Sequence, residues 1–144
     1  MKVRPATTSD AARCAEISPV RTAEELRKLL GQEDTQWLVL EDSGDVVGVG
    51  ILHYWAWNQM AWIWDLTVDE GQRGKGYGQA LLKGMVRAAK KAGARVLMDF
   101  GTPNPNACSL IQLLVNNGFR ICGTNDRWFA DHKNATAVFY GYDL

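Results

Sequence analysis

The sequence predicts an α/β (α+β) fold, and three observations predict it. Strand-like and helix-like stretches alternate along the 144 residues. Three strand-like runs follow one another in the middle of the chain as a meander. A glycine-rich turn, Arg73-Gly74-Lys75-Gly76-Tyr77-Gly78, joins the last of these strands to a long helical run.

Taken in order, Lys2 to Arg4 reads as a short strand that ends at Pro5. Thr8-Ser9-Asp10 is an N-cap cluster for a helix from Ala11 to Ile17, which Pro19 stops. Thr22, with Glu25 three residues on, forms a capping box for a second helix through Leu30, ended by Gly31. Gln36 to Glu41 is a strand, Ser43-Gly44-Asp45 a hairpin turn, and Val46 to Trp57 the return strand. That strand is long enough to carry a bulge around Gly48 and Gly50. Asn58-Gln59 turns into a third strand, Ala61 to Val68. After the glycine turn a helix runs from Gln79 to Lys91, capped by Gly93. Arg95 to Phe100 reads as a buried strand, and Pro105 to Asn117 as a helix ended by Gly118. Phe119 to Cys122 and Ala135 to Tyr142 are the last two strands.

The length suits a single domain over residues 1–144, and 47% hydrophobic residues suit a globular chain. Lys+Arg and Asp+Glu balance at 16 each, so there is no basic surplus that argues for nucleic acid. Cys14, Cys108 and Cys122 have no paired spacing, which fits reduced thiols in a cytosolic protein better than disulfides or zinc. The start, Met1-Lys2-Val3-Arg4-Pro5, lacks the apolar core of a secretion signal. No apolar run is long enough to span a membrane. A cytoplasmic location is therefore expected. His53 and His132 have no metal-ligating partners at useful spacing, and no metal is expected.

The glycine turn carries the strongest chemical signal. A strand, a glycine-rich turn and a helix N-terminus together present unpaired N–H groups and a favourable dipole to an anion. Arg73 and Lys75 add positive charge, so a phosphorylated ligand is expected here. The spacing excludes a P-loop, and it excludes G-x-G-x-x-G because Gln79 stands where the third glycine belongs.

Read as R-x-x-G-x-G, from Arg73 to Gly78, the turn resembles motif A of the GCN5-related N-acetyltransferase (GNAT) superfamily. The element order is also that superfamily's, from end to end. Val3-Arg4-Pro5-Ala6-Thr7 with Asp10, Asp65-Leu66-x-Val68, Asn104-x-x-Ala107 and Gly118-Phe119 resemble its conserved-looking landmarks. Ala107-Cys108, Gly123 and Ala135-Thr136-Ala137 look like the streptothricin-acetyltransferase branch. The resemblance implies a mixed, mostly antiparallel central sheet of about six to seven strands, splayed in the middle, with helices on both faces. It implies acetyl-CoA as cosubstrate, held by its pyrophosphate on the turn from Arg73 to Gln79. The pantetheine arm would pair with backbone of Leu66, Thr67 and Val68, and an N–H near Leu66 would polarise the thioester carbonyl. Asn104 or Asn106 would hold the arm, although either suits an N-cap as well.

One departure stands out. The superfamily often carries a tyrosine four residues before Gly-Phe that protonates the leaving thiolate, and here that position is Leu114. The general acid is absent or relocated. Tyr140 and Tyr142 are alternatives on the last strand. Asp65, an acid in an apolar strand, is a candidate to orient the amine or take its proton, or else a structural carboxylate. Asp99, late in the next strand, is a lesser candidate for the same work, or else simply faces the cleft mouth. Trp55, Trp57, Trp62 and Trp64 lie on partner strands, and within each pair the spacing of two aims both rings to one face. Most serve as core, and one pair is expected to line the acceptor cleft, where a ring can grip a cation. Cys108 reads as a small packing residue.

The leading expectation is direct transfer of an acetyl group to a primary amine of a small molecule. The alternatives are a protein N-terminal or lysine acetyltransferase, and an acyl-CoA-binding module without chemistry. The acceptor, the acyl-chain preference and the oligomeric state, homodimer included, are not legible from one chain.

Overall fold

A computed structural model describes residues 1–101, 108–129 and 136–144. Its elements follow the expected order. They are β1 (Lys2–Pro5), α1 (Ala11–Ile17), α2 (Ala23–Leu29), β2 (Thr35–Asp42), β3 (Asp45–Trp55), β4 (Met60–Val68), α3 (Tyr77–Lys91), β5 (Val96–Gly101), α4 (Cys108–Asn116), β6 (Arg120–Asn125) and β7 (Ala137–Asp143). Short 3-10 turns occupy Thr8–Asp10 and Glu70–Gln72. The Thr22 box closes as expected: Thr22 Oγ1 accepts from Glu25 N–H, and Glu25 Oε2 accepts from Thr22 N–H at 2.8 Å. Ahead of α1 the capping falls to Thr7 and Asp10 instead of Thr8. The Asp10 carboxylate takes the Thr7 N–H and both Arg4 Nη groups. The Arg4 guanidinium holds that carboxyl down at about 2.

The strands form one sheet in the order β1-β2-β3-β4-β5-β7-β6. Only β4 and β5 run parallel among the six neighbouring pairs. The fold is therefore the expected mixed, mostly antiparallel sheet with helices on both faces. On one face α3 buries Leu81, Leu82, Met85 and Ala89 against Leu52, Ile63 and Leu97. Those positions make one stripe of a 3.6-residue helix. On the other face Cys14, Ile17, Leu26 and Leu29 of α1 and α2 cover Trp37, Val39, Val49 and Ile51.

The glycines of β3 have a different reason from the one expected. The bulge falls at Val47, between Gly48↔Leu40 and Val46↔Glu41. Gly48 and Gly50 are small because α3 lies on them. A Cβ on Gly50 would sit 2.8 Å from Met85 Sδ. Gly84, on α3, is packed still closer, since its Cβ would lie 2.6 Å from Val3 Cγ1.

Two irregularities shape the middle of the sheet. Trp64 is an extra residue in β4, because Ile51 pairs with Asp65 while Leu52 pairs with Ile63. The β4–β5 ladder covers only Met60–Trp62 against Val96–Met98. Beyond it β4 continues to Val68 on β3, and β5 continues to Gly101 on β7. The two strands therefore part, leaving the facing edge of β4 from Ile63 to Val68 without a strand partner among the described residues.

Candidate active site

The edge of β4 freed by this splay opens into a groove. Leu66, Thr67 and Val68 form one side, Arg73, Gly74, Gly76, Gly78 and Gln79 the head, and Ser109, Leu110 and Leu113 of α4 the other side. Its volume is about 410 Å³. The sequence named the first two sides. It missed the α4 wall, which only the docking of that helix creates.

The head of the groove is built by backbone. Gly74 and Gly76 stand at φ +79° and +81°, in the left-handed region that glycine enters without steric cost. A Cβ on either would meet nothing within 4 Å, so the backbone there is bare toward the groove. The first helical bond of α3 runs from Ala80 N–H to Gly76 O at 3.1 Å. The N–H groups of Tyr77, Gly78 and Gln79 lie ahead of it in the first turn, where the helix offers them no acceptor. A Cβ on Gly78 would rest against Leu113 Cδ2 at 3.4 Å, which places this residue beside the α4 wall.

The loop is braced from several directions. Asp69 accepts from Gly71 N–H and is ion-paired with Arg13 of α1. Arg73 Nε donates to Val68 O at 3.3 Å, and Lys75 Nζ to Gln72 Oε1 at 2.7 Å. The side chain of Tyr77 turns away from the groove. Its ring is buried in the α3 core, and its hydroxyl donates to Asp42 Oδ2 at 2.6 Å.

Asp65 faces the α1–α2 side, because it pairs with Ile51 of that core. Ser18 Oγ donates to its Oδ2 at 2.5 Å, and Thr67 Oγ1 to its Oδ1 at 2.7 Å. Ser18 follows α1, so Asp65 ties the end of that helix to β4. A carboxylate has about four acceptor sites, so each oxygen keeps capacity for a further donor. Sequence reasoning missed Ser18, which carries no motif.

Asp99 differs from the expectation. It is 4% exposed, not at a cleft mouth. It shares the face of Leu97 and lies opposite Tyr140, both in the α3–α4 core. Asp65 and Asp99 therefore stand on opposite faces of the sheet and cannot do one job side by side. Asp99 Oδ1 accepts from Phe100 N–H at 2.7 Å, and Oδ2 has no partner among the described residues. Burial, reinforced by the Asp65 charge, pushes this carboxyl up to about 8. Leu114 is buried in the same core, as is Tyr140. Tyr140 and Tyr142 both point to this face, away from Phe139.

The tryptophans divide by position. Trp62 is buried and Trp55 half-buried, and they meet at 5.2 Å between ring centroids. Phe100, Trp128 and Phe139 extend that layer over the C-terminal half of the sheet. Trp57 lies past the end of β3 and is 82% exposed. Trp64, lifted by its bulge, is 41% exposed, stacks on His53 at 4.0 Å and carries Arg21 at 5.8 Å. Trp128 and Arg21 come from loops and gave no sequence signal. Cys108 is exposed, so it is not the packing residue expected. Asn104, Asn106 and His132 lie outside the described residues. Among the described residues no cluster of potential metal ligands occurs, and no helix is long and apolar enough to cross a membrane.

Comparison with known proteins agrees with this geometry. Residues 5–114 match the Acetyltransferase (GNAT) family. A streptothricin acetyltransferase of Streptomyces lavendulae is 38% identical over 80 residues, a stretch covering 56% of this chain and 41% of that relative. A structure assigned as a phosphinothricin N-acetyltransferase is 26% identical with a TM-score of 0.80, covering 99% of this chain and 98% of the other. The ribosomal-protein-alanine N-acetyltransferase of Brucella melitensis has the same fold, with a TM-score of 0.86 at 20% identity over 100% of both chains. A glycine turn in left-handed geometry at the head of a groove, a sheet parted at β4 and β5, and a family match across most of the sequence converge: this chain belongs to the Acetyltransferase (GNAT) family.

Proposed function

We propose that the protein transfers an acetyl group from acetyl-CoA directly to a primary amine of a small molecule. The groove that runs from the bare N–H groups of Gly74 to Gln79 to the unpaired edge of β4 carries this reading. Its head suits a pyrophosphate, and its floor offers strand edge to an amide-containing arm. The residues present fit the cosubstrate, with Arg73 and Lys75 at the phosphate end and Leu66 to Val68 along the arm.

The thioester would meet the amine where β4 leaves β5. A backbone N–H near Leu66 polarises the carbonyl in this reading. Asp65, on the α1–α2 side, orients the incoming cationic amine or takes its proton through water. An amine of lysine type has a pKa near ~10.4, so it must lose a proton before it can attack. The rings of Trp64 and Trp55, both on the Asp65 side, suit a cationic acceptor. Two similar proteins named for streptothricin and phosphinothricin favour a small acceptor over a protein chain.

The test is to incubate the protein with acetyl-CoA and a mixture of polyamines, aminoglycosides, streptothricin, phosphinothricin and basic peptides, then find acetylated products by mass spectrometry. An acetylated small amine is expected. Acetylation of peptides alone would move the acceptor class to proteins. Coenzyme A binding with no acetylated product would leave a binding module.

A further inference from the structure

We propose that Asp99 is the proton donor to the departing coenzyme A sulfur, in place of the helix tyrosine that Leu114 replaces. This inference rests on the acetyl-transfer reading above.

Three observations carry it. First, Asp99 is the first residue of β5 beyond its ladder to β4, which ends at Met98. It therefore stands where the two strands begin to part, on the strand opposite the freed edge of β4. Second, its carboxyl is half used. Oδ1 takes the Phe100 N–H, and Oδ2 is buried with no partner among the described residues. An orphaned buried oxygen is costly, so a fold that keeps one has a use for it or a ligand that satisfies it. Third, Asp99 lies on the α4 face of the sheet, the side that holds Leu114 and whose helix walls the groove. Asp65 lies on the other face. The sheet thus separates an acid on the cosubstrate side from an acid on the acceptor side.

The surroundings keep Asp99 protonated. β4 brings the charge of Asp65, and β7 brings Tyr140 and Tyr142. The face of α3 toward this core brings leucines, Met85 and Tyr77, whose hydroxyl is held by Asp42; α4 brings leucines, and β3 brings Tyr54. No cation among the described residues pairs with the carboxyl. A carboxyl pushed to about 8 stands close to a thiol, whose reference value is ~8.5, so proton exchange between the two is nearly balanced. Tyr140, raised above the usual phenol value by burial and by Asp99, is the weaker acid of the two.

The step balances as follows. The amine lone pair forms the C–N bond, the C–S bond breaks, and its electron pair goes to sulfur. The proton on Asp99 passes to that sulfur and gives the thiol. The amine gives up one proton to Asp65 or water, and Asp99 regains one from solvent.

Coenzyme A alone tests this, without an acceptor. The ultraviolet absorbance of the bound thiolate is titrated on the unmodified protein and on Asp99→Asn, with calorimetry to show that each binds. At high pH an ionised Asp99 opposes a neighbouring thiolate. The bound thiol should therefore titrate on the order of one pH unit higher in the unmodified protein, about tenfold in the ionisation constant. Equal thiol ionisation in two proteins that both bind coenzyme A overturns the assignment of Asp99 alone. No binding by the unmodified protein overturns the acetyl-transfer reading itself. Should Asp99→Asn not fold, carbon-13 NMR of the unmodified, aspartate-labelled protein decides. One carboxyl that stays protonated at neutral pH and shifts when coenzyme A is added supports the proposal, and its absence overturns it.

Discussion

Ile51 of β3 pairs with Asp65 while its neighbour Leu52 pairs with Ile63, so a single extra residue, Trp64, sets the direction of the acid. Without this bulge the alternation of β4 would put Asp65 on the face of Ile63, under α3. With it, Asp65 turns to the α1–α2 side and Leu66 turns back to the α3 side, where the groove lies. One register slip therefore gives β4 an acid on one face and, in Leu66, a groove-lining residue on the other.

Asp65 braces and, in the proposed function, also handles the amine. Asp65→Asn should lower the turnover of the acceptor while coenzyme A affinity holds. The loss should shrink as pH rises, because more amine is then already neutral. The hydrogen bonds from Ser18 and Thr67 are to a carboxylate, and weakening them should cost about 1–3 kcal/mol. Urea unfolding and kcat against pH separate the two effects. A variant that loses stability alone, with kcat intact, assigns Asp65 to the brace.

The glycine turn can be tested without confusing charge with strain. Gly76 sits at φ +81°, a left-handed backbone that strains L side chains, asparagine and aspartate among the least. Gly76→Asn and Gly76→Asp share size and backbone tolerance and differ in charge. Calorimetry should show coenzyme A bound much more weakly by the aspartate variant than by the asparagine variant. Equal affinities would mean that no phosphate lies at this turn.

The tyrosines of β7 should not be the missing acid. Tyr140→Phe and Tyr142→Phe should keep most of kcat, as read by thiol release at saturating acetyl-CoA. Asp99→Asn should lose on the order of 10²-fold, the usual scale of general acid catalysis. In the unmodified protein kcat should fall above pH about 8 as Asp99 loses its proton. A tenfold loss in Tyr140→Phe with a silent Asp99→Asn would reverse the assignment.

Asp99 also makes a stability prediction with a definite sign. Its carboxyl is raised from 3.8 to about 8 in the folded protein, so between those values the native state holds a proton that the unfolded chain has released. Stability should therefore fall as pH rises through that window and level off above it. Asp99→Asn should remove this slope. Melting temperatures from pH 5 to 9 measure it, and parallel curves for the two proteins would contradict it.

The contact between α3 and β1 is tight enough to predict a clash. Gly84→Ala would place Cβ within 2.8 Å of three Val3 carbons, Cγ1, Cγ2 and the branched Cβ itself. Overpacking of this kind costs about 1–3 kcal/mol. Val3→Ala in the same chain should restore much of it, and thermal melts of the single and double variants show whether it does.

Much of this was legible because local chemistry matched the fold. The Thr22–Glu25 box, the Ser43–Asp45 turn and the Pro and Gly stops sit within a residue or two of the boundaries they foretold. The glycine turn was legible because positive φ has few other solutions. What stayed hidden depends on contacts between distant elements. The Trp64 bulge follows from register with β3, and period-two reading of β4 cannot see it. The same blindness merged Asp65 and Asp99 into one role, since face assignment across two strands needs their pairing. Gly48 and Gly50 read as the place of a bulge, whereas Met85 and Leu81 on α3 are what keep them small. Ser18, Arg21 and Trp128 come from loops, where no periodicity marks a side chain.

The most direct measurement of the central claim is coenzyme A thiol release from acetyl-CoA, with and without a small primary amine, followed alongside acetylated amine. Release should require the amine, match product mole for mole and disappear in Gly76→Asp at subsaturating acetyl-CoA. Thiol release that no amine accelerates, or none at all from a protein that binds coenzyme A, would contradict it.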